Sequence, residues 1–145
     1  MSKLLQRLSD ASKSGVYRTH RDSDIVDSLR GSALAIARIG LAGATGKEAL
    51  MARIAQALAF PQWFGGNWDA LEDCLTDLSW SNAAGRVLLF EGAAELAADE
   101  LGILIDILGS AAAYWAQRGR PFFAVFLDGA PPLPARLPEL YRSRK

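Results

Sequence analysis

Asp69, Asp73 and Asp77 stand at i, i+4 and i+8 with Glu72 among them, and no lysine or arginine occurs from Ile54 to Gly85. Acids so spaced could do three kinds of work. A pair on one face can hold a magnesium ion together with bound water. Two carboxyl groups whose pKa values are pushed apart can serve as general acid and base. An exposed array can accept charge-assisted hydrogen bonds from a cationic partner. The first is poorly served, because no histidine is near and a solvated face without a pocket makes a weak magnesium site. The second needs two unlike environments, and these acids share one. A solvated surface is the ordinary reading of any charge run, but Trp63 and Phe64 just before the acids favour a binding surface.

Other reactive side chains offer less. His20 is the only histidine and lies in a charged segment, THRDSD, with no nucleophile motif beside it. Cys74 has no cation close in sequence to depress its pKa, so it reads as a buried structural thiol. The glycine-rich FGGN turn lacks the Lys-Ser/Thr of a phosphate-binding loop, and Asp69 would repel a phosphate from the helix that follows. Trp68 and Trp80 read as packing residues.

The acids need a helix to align them. Asn67 is a good N-cap, and Gly65 and Gly66 free the chain to turn before it, so the pattern predicts a helix from Trp68 to Leu78. At about 100° per residue its side chains sort into two arcs. Leu71, Cys74, Leu75 and Leu78 make an apolar stripe, while Asp69, Glu72, Asp73, Thr76 and Asp77 face the other way. Like charges at i, i+4 cost roughly 0.2–0.5 kcal/mol each, and only Asp69 is near enough to the helix N-terminus to recover it. An acidic face that weakens its own helix asks for another purpose.

Around it the chain alternates strand and helix signals. Ala33 to Leu41 reads as a strand. Thr45 with Glu48 forms a capping-box pattern before a helix whose buried stripe is Leu50, Met51, Ile54, Ala55 and Leu58. Arg86 to Glu91 and Pro121 to Leu127 are apolar enough for a sheet covered on both faces. Ala93 to Gln117 reads as helical with a break near Gly109, and Gly119 as its terminator. Strands separated by helices imply parallel pairing, so the expected fold is α/β with a small three-stranded parallel sheet packed by helices.

Residues 1–32 read as an N-terminal extension, with helical turns at Lys3 to Leu8 and near Ile25, Val26 and Leu29, and a short extended piece at Val16-Tyr17. Residues 33–128 form the domain, and the proline-rich basic stretch 129–145 reads as an extended tail rather than a packed element. The 145 residues, half of them hydrophobic, suit one domain with a sizeable core. Sixteen cations balance sixteen anions, which gives no pointer to nucleic acid or membrane. One cysteine rules out an internal disulfide and suits a reducing cytoplasm. The N-terminal residues hold no apolar run of the ~7–15 residues that a secretory signal uses.

The run FP-x-W-F-G-x-N-W-D-A-L-x-D-C-L-T, residues 60–76, resembles the barstar family, intracellular protein inhibitors of secreted microbial ribonucleases. The likeness is looser from Leu34 to Leu127. It implies a non-enzymatic, cytoplasmic protein without cofactor or metal. Such a protein would bind a small barnase-like ribonuclease one-to-one, with no direct contact to nucleic acid or membrane. It implies that Asp73 enters the ribonuclease phosphate site, that Asp69 is a second acidic contact, and that Trp63, Gly65, Asn67 and Thr76 complete the contact set. Several positions depart from the best-known member. Trp63 stands for a tyrosine, Glu72 for a tryptophan, Asp77 and Leu78 for a Gly-Trp pair, and Tyr114 for a glutamate contact. Two other readings stay open: an adaptor whose acidic helix binds a basic protein that is not a ribonuclease, and a hydrolase with a metal on Asp69 and Asp73.

Overall fold

The computed structural model describes residues 3–60, 66–77, 83–129 and 132–141. The apolar runs pair as expected: β2 (Leu34–Gly40), β3 (Gly85–Glu91) and β4 (Phe122–Leu127) lie side by side and parallel. The sheet has four strands, however, not three. β1 (Gly15–Thr19) adds itself beyond β4, giving the order β1-β4-β3-β2, all parallel. Residues 3–29 thus complete the sheet, with α1 (Lys3–Leu8) and α2 (Asp22–Leu29) on either side of β1 in sequence.

Strand alternation explains why both faces must be covered. On β3 and β4, Leu88, Phe90, Phe122, Ala124 and Phe126 point to one side, where α3 (Lys47–Leu58), α4 (Trp68–Thr76) and α5 (Ala98–Ala116) pack. Val87, Leu89, Phe123 and Val125 point to the other, where α1 and α2 bring Leu4, Leu8, Ile25 and Leu29. The two faces follow from handedness. From β2 through β3 to β4 the chain steps one way across the sheet, and from β1 to β2 it travels back. Right-handed crossovers then place their helices on opposite faces.

Three local expectations are corrected. The Thr45 capping box does not form, because α3 starts at Lys47 behind Gly46, whose φ of 88° only glycine adopts readily. The helical stretch after β3 breaks at Leu96 and Ala97, both extended, rather than near Gly109. α5 runs unbroken through Gly109, since the packing of Leu108, Ala111 and Ala112 outweighs the ~1 kcal/mol that an interior glycine costs. The proline-rich segment, finally, is extended but packed. Leu133 and Leu140 are buried, and the segment runs along β1, with Arg18 N–H donating to Pro138 O and Leu140 N–H to Arg18 O, each at 2.9 Å. Tyr141 donates its hydroxyl to Asp24 on α2. This strand-like cover blunts an otherwise open sheet edge. Among the described residues no helix is long and apolar enough to cross a membrane.

Candidate functional site

α4 begins where its sequence says it should. Asn67 is extended (φ −126°, ψ 173°), and its side-chain oxygen accepts the Ala70 N–H at 2.8 Å, satisfying one of the four orphan donors of the first turn. Gly66 ahead of it turns with φ 71°. The helix closes at Thr76, two residues short of the predicted end, where Asp77 leaves the helical region and donates its N–H to Cys74 O. Leu78 and Trp80, like Trp63 and Gly65, lie outside the described residues.

The side chains divide as the wheel predicts. Leu71, Cys74 and Leu75 are fully buried, and Trp68 packs half-buried against the same core. Asn67, Asp69, Glu72, Asp73 and Asp77 are exposed on the far side. Thr76 is half-buried, and its hydroxyl lies 3.0 Å from Glu72 O and 3.3 Å from Asp73 O, bonding back onto its own helix. That leaves its oxygen lone pairs as the part able to meet another group. Cys74 is a free thiol whose pKa is raised, first by burial and then by the charges of Asp73 and Asp77, so it is a poor nucleophile.

Five acids outside α4 are ion-paired with described residues, while others, Asp10, Glu48 and Asp106 among them, are not. Asp22 and Glu91 bind Arg38 at 2.6 and 2.9 Å, Asp27 reaches Arg30, and Asp128 and Glu139 flank Arg18. Asp69, Glu72 and Asp73 form no ion pair with any described residue. Nor do they gather, among the described residues, into a group of three or more donors able to hold a metal. The result is a negative face, with Asp69, Glu72 and Asp73 unpaired among the described residues, mounted on a buried apolar stripe.

One anchor of this face is not legible from α4 alone. The indole N–H of Trp115 on α5 donates to Leu75 O at 2.9 Å, satisfying a carbonyl in the last turn of α4. Tyr114 beside it packs edge-on against the Trp115 ring, with centroids 5.0 Å apart, and carries the Arg118 guanidinium 3.5 Å from its own ring centre. The end of α5 next to the acidic helix is therefore cationic and aromatic. His20 lies elsewhere, on the turn after β1. Its Nδ1 is 3.1 Å from Asp128 O, an atom that can only accept, so Nδ1 carries the proton and Nε2 accepts from Arg18 at 3.0 Å.

Residues 34–127, well over half of the chain, match the protein-family model described as Barstar (barnase inhibitor). The match runs from the start of β2 to the end of β4 and contains all of α4. No curated protein matches the chain.

Proposed function

The chain belongs to the barstar family, and from that premise we propose that it is a protein inhibitor of a barnase-type ribonuclease. The observation that carries the proposal is the exposed acid face of α4, where Asp69, Glu72 and Asp73 pair with no described cation, fixed to the core through Leu71, Cys74 and Leu75. A ribonuclease active site must hold an RNA phosphate, so it is lined with cationic donors. Asp73, at the middle of the face, accepts the charge-assisted hydrogen bonds meant for phosphate oxygens. Asp69 adds a second carboxylate one turn earlier. Asn67, Gly65 and Trp63 meet the rim of the cleft ahead of the helix, and Thr76 meets it one turn later.

The inhibitor works by occupation and performs no chemistry of its own. Its buried, poorly ionising thiol suits the cytoplasm, where it would protect the cell from the enzyme. Residues 33–128 act as the inhibitor domain, with β1 completing its sheet and the described residues 132–141 covering the outer edge of β1. Opposite charges also speed the encounter, an effect for which this family's own enzyme–inhibitor pair is a reference case.

The test is a titration of RNA cleavage by a barnase-type ribonuclease with the full chain, at low and high salt. Loss of cleavage at one-to-one stoichiometry is expected, with association slowing as salt rises. Undiminished cleavage at stoichiometric excess, together with binding to a basic protein that is not a nuclease, would favour the adaptor reading.

A further inference from the structure

Two arginines share a small cavity where β3 and β4 begin. Arg86, the second residue of β3, lies opposite Phe122, and its N–H donates to Pro121 O at 2.9 Å, which brings Arg120 alongside. Ala83, Gly85, Trp115 and Phe122 complete the wall around the two guanidinium-bearing residues. The cavity holds about 20 Å³, room for one water-sized group, and it opens to solvent. No larger side chain can replace Gly85 in its lining, since a Cβ there would lie 2.8 Å from Leu34 Cδ2 and 2.9 Å from Pro121 O.

Arg120 is held in place. Its Nη2 donates to Ala83 O at 2.9 Å, and its guanidinium sits 5.6 Å from the Trp115 ring centre. Arg86 is half-buried, and both that burial and the charge of Arg120 lower its pKa. Arg18, Arg30 and Arg38 each have a carboxylate partner, whereas Arg86 and Arg120, like Arg7, Arg21, Arg53, Arg118 and Arg136, pair with none among the described residues, and these two share one cavity. The residues outside the described set contain no Asp or Glu. Two cations sharing a partly desolvated site repel each other, and a counter-charge placed between them removes the penalty.

We propose that this cavity is an oxyanion site, taking one oxygen of a phosphate or carboxylate head between Arg86 and Arg120 with Trp115 as its wall. The head group stays at the mouth, because the space within admits only its leading oxygen. The proposal stands apart from ribonuclease binding, since it uses none of the acids of α4.

Thermal unfolding of the full chain tests it, at fixed pH and ionic strength, with chloride replaced by inorganic phosphate and, in a second arm, by acetate. Excluded salts stabilise any protein without saturating. A true site gives a saturable rise in Tm. Arg120→Met and Arg86→Met should each weaken the apparent affinity about tenfold or more. Arg30→Met, at an exposed arginine elsewhere, should respond like the natural protein. Saturation in both arms assigns carboxylate-bearing as well as phosphate-bearing ligands, and saturation with phosphate alone assigns phosphate groups. No saturable response in either arm overturns the site, as does a response undiminished in the variants. If Arg86→Met does not fold, the exposed Arg120→Met decides alone.

Discussion

The indole N–H of Trp115 and the carbonyl oxygen of Leu75 meet at 2.9 Å, joining the last turn of α5 to the last turn of α4. A helix leaves its final four carbonyls without helical partners, and this one is supplied from forty residues away in sequence. Trp115→Phe keeps a ring in place and deletes the donor. It should cost about 1 kcal/mol, at the lower end for stranding an acceptor in a partly buried site. Denaturant unfolding measures the loss, and faster amide exchange confined to the end of α4 locates it. Unchanged stability and exchange would show the bond to be incidental.

Asp73→Ala should separate folding from binding. In the free protein Asp73 lies one turn from Asp69, pairs with no described cation, and occupies a position where alanine is the better helix former. The variant should be as stable as the natural protein or more so, by roughly 0.5 kcal/mol. The complex should weaken by about 3–5 kcal/mol, because the enzyme's cations would be buried without their counter-charge. A variant that unfolds more easily yet still inhibits would make Asp73 a structural residue.

Cys74→Ala should do the reverse. The thiol is fully buried beside Leu71 and Leu75, so its removal should cost about 1 kcal/mol or so in lost packing while leaving inhibition intact. A thiol reagent should label the native protein far more slowly than the denatured one. Rapid labelling of the native fold, or inhibition lost at unchanged stability, would place the sulfur at the surface.

Tyr141 sets a limit on stability at high pH. Burial, and then the hydrogen bond to Asp24, push its hydroxyl from 10.0 up to about 12. The folded state therefore holds the proton where the unfolded state releases it, so the stability this contributes is full below pH 10 and drains away as pH rises towards 12. Unfolding measured across that window should fall more steeply for the natural protein than for Tyr141→Phe. Ionisation of Cys74 adds the same slope to both proteins and cancels in the comparison. Parallel curves would mean that the tyrosine is solvated and the tail loosely held.

Much of this architecture is legible in residue patterns, and the exceptions have physical causes. β2, β3 and β4 announce themselves because runs such as VLLF and FFAVF can exist only where both faces are covered. β1, GVYRT, shows only as a short extended piece at Val16-Tyr17, since an edge strand is half-buried and carries Arg18 outward to the tail. Leu133 and Leu140 are spaced among prolines with neither helical nor strand period, so their burial is a tertiary fact. Thr45 loses its cap to Gly46, and Gly109 fails to break α5, because packing decides between local options that differ by about 1 kcal/mol. At the candidate site the split of α4 into buried and exposed arcs follows from spacing alone. Its tie to Trp115 does not, for no local pattern encodes a bond between distant helices.

The pairing of β1 with β4 also orders events at synthesis. The first strand of the sheet in chain order hydrogen-bonds to β4, with Gly15 opposite Phe123 and Thr19 opposite Leu127, and on its other edge to the segment after β4. While the ribosome is still working through α5, β1 has no neighbour, and the apolar face of β3 under α1 and α2 lacks half its width. The sheet must close late, by contacts of high sequence separation, which are the slowest to form. Until then the nascent chain exposes an unpaired strand and an open apolar face, the surfaces that chaperones bind and that aggregation exploits.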